Sequence, residues 1–140
     1  MIRDSKDFIT YAAEVVGKDP FASLLGIKVE EVRNSYARVS LKISEEFCNA
    51  ETRAHGGILF ALADQAFAVA AHSSGVKMFG IEMKINYLQA ALPGEVLTAV
   101  ATPIDIRKRV SLWNVDVTNS RGQRVAVAQG LAYHIASSSP

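Results

Sequence analysis

From His55 to Ala71 the chain reads HGGILFALADQAFAVAA, and the fold turns on that stretch. After the two glycines the apolar residues spread over every side of a helix, and Asp64 and Gln65 carry the only polar groups between Ile58 and Ala71. A helix that is apolar all round expects cover on all sides. A carboxylate inside such cover is either paired at some cost or driven neutral. Asp64 therefore needs a partner, such as an arginine across an interface, or a chemical task, and at this point both readings are open.

Working outward, Phe8, Tyr11, Ala12, Val15 and Val16 recur at helical spacing and predict an amphipathic helix over about residues 4–17. Asp4 or Ser5 can cap its start, and Asp19-Pro20 stops it. Ile27–Val32 and Tyr36–Ile43 read as a hairpin through Asn34-Ser35, the second strand alternating Ala37, Val39, Leu41 and Ile43 with polar neighbours. A loop over Ser44–Ala54 leads into the central helix, which ends near Ser73, Ser74 and Gly75. Period-two patterning then predicts strands at Ile81–Leu88, Val96–Ile104, Val110–Thr118 and Val125–Ile135. Turn signals separate them at Pro93-Gly94, Arg107–Arg109 and Asn119–Gly122, and the short tail Ser137–Pro140 follows. Short connections favour an antiparallel sheet, so the class is α+β, with the sheet covering one side of the central helix. The other side still needs cover. A second copy of the chain is the simplest source, which implies a homo-oligomer.

The 140 residues suffice for one domain, spanning 1–140. A net charge of +1 offers no field for nucleic acid or an anionic membrane. The lone Cys48 excludes an intrachain disulfide and suits a reducing compartment. Asp4, Lys6, Asp7 and Glu14 interrupt the first segment, unlike a signal peptide, so a cytoplasmic location is expected. The run Ile58–Ala71 is shorter than the roughly 20 apolar residues a bilayer span needs.

A helix start collects unpaired N–H groups at the positive end of the dipole, so Gly56-Gly57 can form an oxyanion site as well as a plain turn. Asp64 lies about 10 Å along the helix from Gly57, at about 1.5 Å per residue. Groups serving one carbonyl must each come within about 3 Å of their atoms, so one chain does not readily supply both. Two antiparallel central helices about a two-fold axis would bring Asp64 of one chain to Gly56 of the other.

The pattern Asn49, His55-Gly56-Gly57, Ala63-Asp64 on an apolar helix, followed by four strands, resembles the hotdog-fold acyl-CoA thioesterases, in particular the PaaI-like branch associated with phenylacetate degradation. The resemblance spans about Phe21 to Ile135 and implies an antiparallel sheet wrapped around a long central helix. It also implies homodimers or dimers of dimers with sites at the interface, an acyl-CoA substrate, and no metal or other cofactor. By position, Asp64 is implied as nucleophile or general base and the Gly56 N–H as the group that polarises the thioester carbonyl. Asn49 and His55 match polar positions that order the loop or orient thioester or water, beside plainer readings as a turn residue and a helix-start histidine. Members of the branch commonly carry a small hydroxyl residue after the Asp. Gln65 stands there instead, able to orient water but larger. Gly57 joins the substrate-binding set through its place at the helix start. Arg107, Lys108 and Arg109 could hold the CoA phosphates or form a solvated turn. Cys48, His55, His72 and His134 lack zinc-ligand spacing, and no G-x-S-x-G elbow is present. Two rival functions are a hydratase or dehydratase using His55 with a carboxylate, and a noncatalytic acyl-CoA binding protein.

Overall fold

The computed structural model describes residues 5–135. Asp4 and the Ser137–Pro140 tail lie outside the described residues. Six strands form one antiparallel sheet: β1 (Lys28–Arg33), β2 (Tyr36–Lys42), β3 (Met78–Tyr87), β4 (Val96–Ile106), β5 (Val110–Thr118) and β6 (Arg124–His134). Their spatial order is β1-β2-β4-β5-β6-β3. The long helix α3 (Gly56–Ser73) packs across one face of this sheet, which is the α+β arrangement the patterning predicts and the hotdog arrangement the resemblance implies.

The core lies between α3 and that face. Leu62, Phe67 and Val69 of α3 meet Val39, Leu97, Trp113, Val115 and Val117, all essentially fully buried. Each such large side chain contributes about 1.5–3 kcal/mol through burial. The Phe67 ring occupies a slot between two strand glycines: a Cβ at Gly130 would stand 2.9 Å from it and one at Gly80 3.0 Å. Trp113 Nε1 donates to Ser111 Oγ at 2.7 Å, so its buried N–H is satisfied.

The N-terminal segment departs from the single helix expected over residues 4–17. Helix α1 (Ser5–Tyr11) passes into a π-helical turn (Ala12–Val16), and a separate helix, α2 (Pro20–Leu25), follows. Asp19-Pro20 stops the first helix as expected, but it also starts the second. Asp19 caps α2 by accepting the Ala22 N–H at 2.9 Å, with Pro20 in the first turn, where its missing N–H costs nothing. Strand β3 begins at Met78 rather than Ile81, and a bulge between Gly80 and Glu82 resets its alternation. A second bulge, between Pro103 and Asp105, lets β4 run on to Ile106. No described helix is long and apolar enough to cross a membrane.

Two surfaces of the architecture stay open. β3 pairs only with β6, and it exposes Phe79, Ile81 and Tyr87 along ten residues of free strand edge. On α3, Phe60 and Asp64 are exposed and Ala68 partly so, a stripe at four-residue spacing that the sheet does not reach.

Candidate active site

Three backbone features build the start of α3. His55 caps the helix, its Nδ1 accepting the Gly57 N–H at 2.8 Å, which in the neutral ring leaves the proton on Nε2. The His55 N–H is itself held by the Phe47 carbonyl at 2.8 Å. Gly56, the first helical residue, keeps an N–H with no hydrogen-bond partner among the described residues. The two glycines thus part company: the Gly57 donor expected for substrate is already taken by His55, and the Gly56 donor is open.

That open N–H adjoins a cavity of about 390 Å³ lined by Asn49, Arg53, Gly56, Leu59, Tyr87 and Gln89, among others. Tyr87 donates its hydroxyl to the Gly56 carbonyl at 3.0 Å. A Cβ on residue 56 would stand 3.1 Å from the Tyr87 ring, so glycine lets strand β3 close against the helix start. Asn49 organises the loop before the helix. Its Oδ1 accepts the Glu51 and Arg53 N–H groups at 2.9 and 3.2 Å, and its own N–H donates to the Arg53 carbonyl at 2.7 Å. These bonds tie the loop together, and Asn49 is among the residues lining the same cavity.

Asp64 lies about 12 Å further along α3 from Gly56 and does not line this cavity. In the single chain its side chain is exposed rather than enclosed, contrary to the burial its neighbours suggested, because it falls on the stripe of α3 facing away from the sheet. It makes no hydrogen bond or ion pair among the described residues. Crowding by the surrounding chain, and then the Asp19 carboxylate, push its carboxyl above the usual value of 3.8.

Gln65 belongs elsewhere. It is buried, and its amide donates to the Val16 carbonyl at 2.7 Å, tying α3 to the π-helical turn. One N–H of the amide that was expected to orient water is thereby committed to the backbone. The Arg107–Arg109 turn sits at the far end of the sheet, beside the start of β3, whereas Tyr87 at the end of β3 adjoins the cavity. Arg107 is paired with Asp105 at 2.6 Å, and His134 bonds the carbonyls of Lys108 and Arg109. Within one chain this turn is remote from Gly56. The polar lining residues missed from sequence are Arg53, Tyr87 and Gln89. Tyr87 closes a predicted strand, yet nothing local marks its contact with a helix start 31 residues earlier.

Residues 52–126 match the family model described as the thioesterase superfamily. The acyl-coenzyme A thioesterase PaaI of Escherichia coli is 30% identical over 117 residues, covering 84% of each chain. The solved structure of the E. coli PaaI protein from the phenylacetic acid degradation operon superposes with a TM-score of 0.88 at 28% identity, covering 94% of this chain and 95% of that one. A thioesterase protein of Streptococcus pneumoniae solved with coenzyme A superposes at 0.74, with 29% identity over 77% of this chain and 87% of its own. The chain belongs to the thioesterase superfamily, as a PaaI-like thioester hydrolase of the hotdog fold.

Proposed function

We propose that the protein hydrolyses acyl-CoA thioesters to a free acid and CoA, with Gly56 and Asp64 drawn from two copies of the chain. The observation that carries the proposal is the unpartnered Gly56 N–H at the positive end of α3, opening on a cavity. The thioester oxygen accepts from this N–H, which stabilises the negative charge it gains when the carbonyl carbon is attacked. As general base, the Asp64 carboxylate takes a proton from the attacking water. As nucleophile, it forms a mixed anhydride that water then opens. In either case the C–S bond breaks and the CoA thiolate leaves, and in either case Asp64 must be ionised.

Two observations support assembly into a homodimer or a dimer of dimers. The free apolar edge of β3 is a template for strand pairing, and the Phe60–Asp64–Ala68 stripe is uncovered. Because the E. coli relative takes its name from phenylacetic acid degradation, arylacetyl-CoA esters are the first substrates to try, followed by medium-chain ones. CoA esters are cytoplasmic metabolites, and we infer that setting here. The test is release of free thiol from a panel of acyl-CoA esters by the purified protein. Turnover supports the reading. A protein that binds CoA esters without releasing thiol is a binding module instead.

The pH dependence follows from the crowding of Asp64 first and from the Asp19 carboxylate second. With the Asp64 pKa raised, the acid limb of kcat/KM lies at higher pH than an ordinary aspartate would give. Asn caps helices as well as Asp does, so Asp19→Asn keeps α2 while removing the charge. It should move the acid limb to lower pH and leave the thermal midpoint within a few degrees. An unmoved limb would mean that Asp19 does not act on the reacting carboxylate.

A further inference from the structure

Arg53 is the one charged residue lining the cavity at Gly56, and its backbone is held unusually firmly for a loop residue. Its N–H and carbonyl both bond to Asn49, and the next residue donates to the Ala91 carbonyl at 2.8 Å, across the same cavity. Cys48 and Ala54 close the loop as an isolated bridge. Thr52, immediately before it, is held at φ +60, a left-handed conformation that residues with a β-branched side chain avoid. Arg107, Arg121 and Arg124 each sit against a carboxylate, on Asp105, Glu95 and Asp116 respectively. Arg53 has neither an ion-pair nor a side-chain hydrogen-bond partner among the described residues. An exposed and unneutralised guanidinium, carried on a firmly held backbone beside an open N–H, suits an anion.

Resting on the thioesterase reading above, we propose that Arg53 anchors an anionic group of the substrate. That group is either a phosphate at the nucleotide end of CoA or a carboxylate at the far end of the acyl chain. Arg53 lies three positions before Gly56, so their Cα atoms lie at most about 10 Å apart, and the long side chain can reach an anionic group away from the scissile carbonyl. Arg53 therefore acts on binding rather than on the reacting atoms. Within one chain the Arg107–Arg109 turn is remote from this cavity, whereas Arg53 lines it.

Arg53→Gln and Arg53→Lys are compared with the unsubstituted protein on four thioesters: a neutral acyl group and a carboxylate-ended acyl group, each on CoA and on N-acetylcysteamine. Arg53→Gln should raise KM about tenfold or more on every ester carrying the recognised anion, with kcat within about twofold, as loss of one charge-assisted contact requires. Arg53→Lys should recover part of the loss. A loss on both CoA esters and neither N-acetylcysteamine ester assigns the nucleotide phosphates. A loss on both carboxylate-ended esters, whatever the carrier, assigns the acyl carboxylate. An unchanged KM on all four, or an equal loss on all four including the neutral N-acetylcysteamine ester, overturns the proposal. Titration calorimetry with CoA and with a free dicarboxylate keeps the two claims separable. If the unsubstituted protein hydrolyses none of the esters, the thioesterase reading fails, yet binding of either anion weakened by Arg53→Gln still supports the anchor, and binding that the substitution leaves unchanged overturns it.

Discussion

Asp64→Asn is expected to lower kcat by at least about a hundredfold, the range a general base or nucleophile supplies, while leaving binding of CoA esters largely intact. The same substitution should stabilise the fold at neutral pH. A carboxyl whose folded pKa lies above its unfolded value near 3.8 binds more protons folded than unfolded, so stability falls as pH rises from about 3.8 through the folded value. Below that window both states are protonated and Asp64 costs nothing. Asn has no such ionisation, so its thermal midpoint should match the unsubstituted protein near pH 3 and exceed it at pH 7. A paired structural carboxylate would behave oppositely and lose stability when replaced. Turnover near that of the unsubstituted protein in Asp64→Asn would remove the residue from the chemistry.

Gly56→Pro is expected to lower kcat by about 10²–10³, the usual loss of one oxyanion donor. The position permits the experiment. Proline is well accommodated as the first residue of a helix, and His55 at φ −63 and ψ 140 already has the extended conformation that a residue before proline needs. The added Cβ presses on Tyr87 at 3.1 Å in Gly56→Pro and Gly56→Ala alike, so Ala supplies the control for that contact. The ratio of the two variants reads the N–H alone. Equal rates would mean that the donor takes no part.

Much of this architecture was legible in the sequence because its signals are local. The apolar run Ile58–Ala71 and the alternation of β2, β4, β5 and β6 report directly which faces are covered. Local signals fail where the chain departs from a fixed period: the bulges at Ile81 and Ile104 each shift an alternation, and α2 is too short to show one. They fail again where one side chain has two chemically equal uses. The amide of Gln65 serves a water or a backbone carbonyl equally well, and its partner, Val16, lies 49 residues away. Asp64 differs in kind. Its apolar neighbours point to an enclosed carboxylate, yet one chain leaves it exposed, and a second copy would supply the missing cover. The Gly56 donor was readable from its place at the helix start. Its separation from the Gly57 donor was not, since that depends on which N–H the His55 ring captures.

Subunit exchange between two inactive variants distinguishes a site that joins Asp64 of one chain to Gly56 of another from a site built within a single chain. Asp64→Ala supplies a sound Gly56, and Gly56→Pro supplies a sound Asp64. In a mixed dimer one of the two sites regains both groups, and random exchange makes about half of the dimers mixed, so about a quarter of the original activity should return. Mass spectrometry of the intact assembly establishes that exchange has occurred. Recovery to that level is the predicted result, and mixed dimers demonstrated without recovered activity would contradict the shared site.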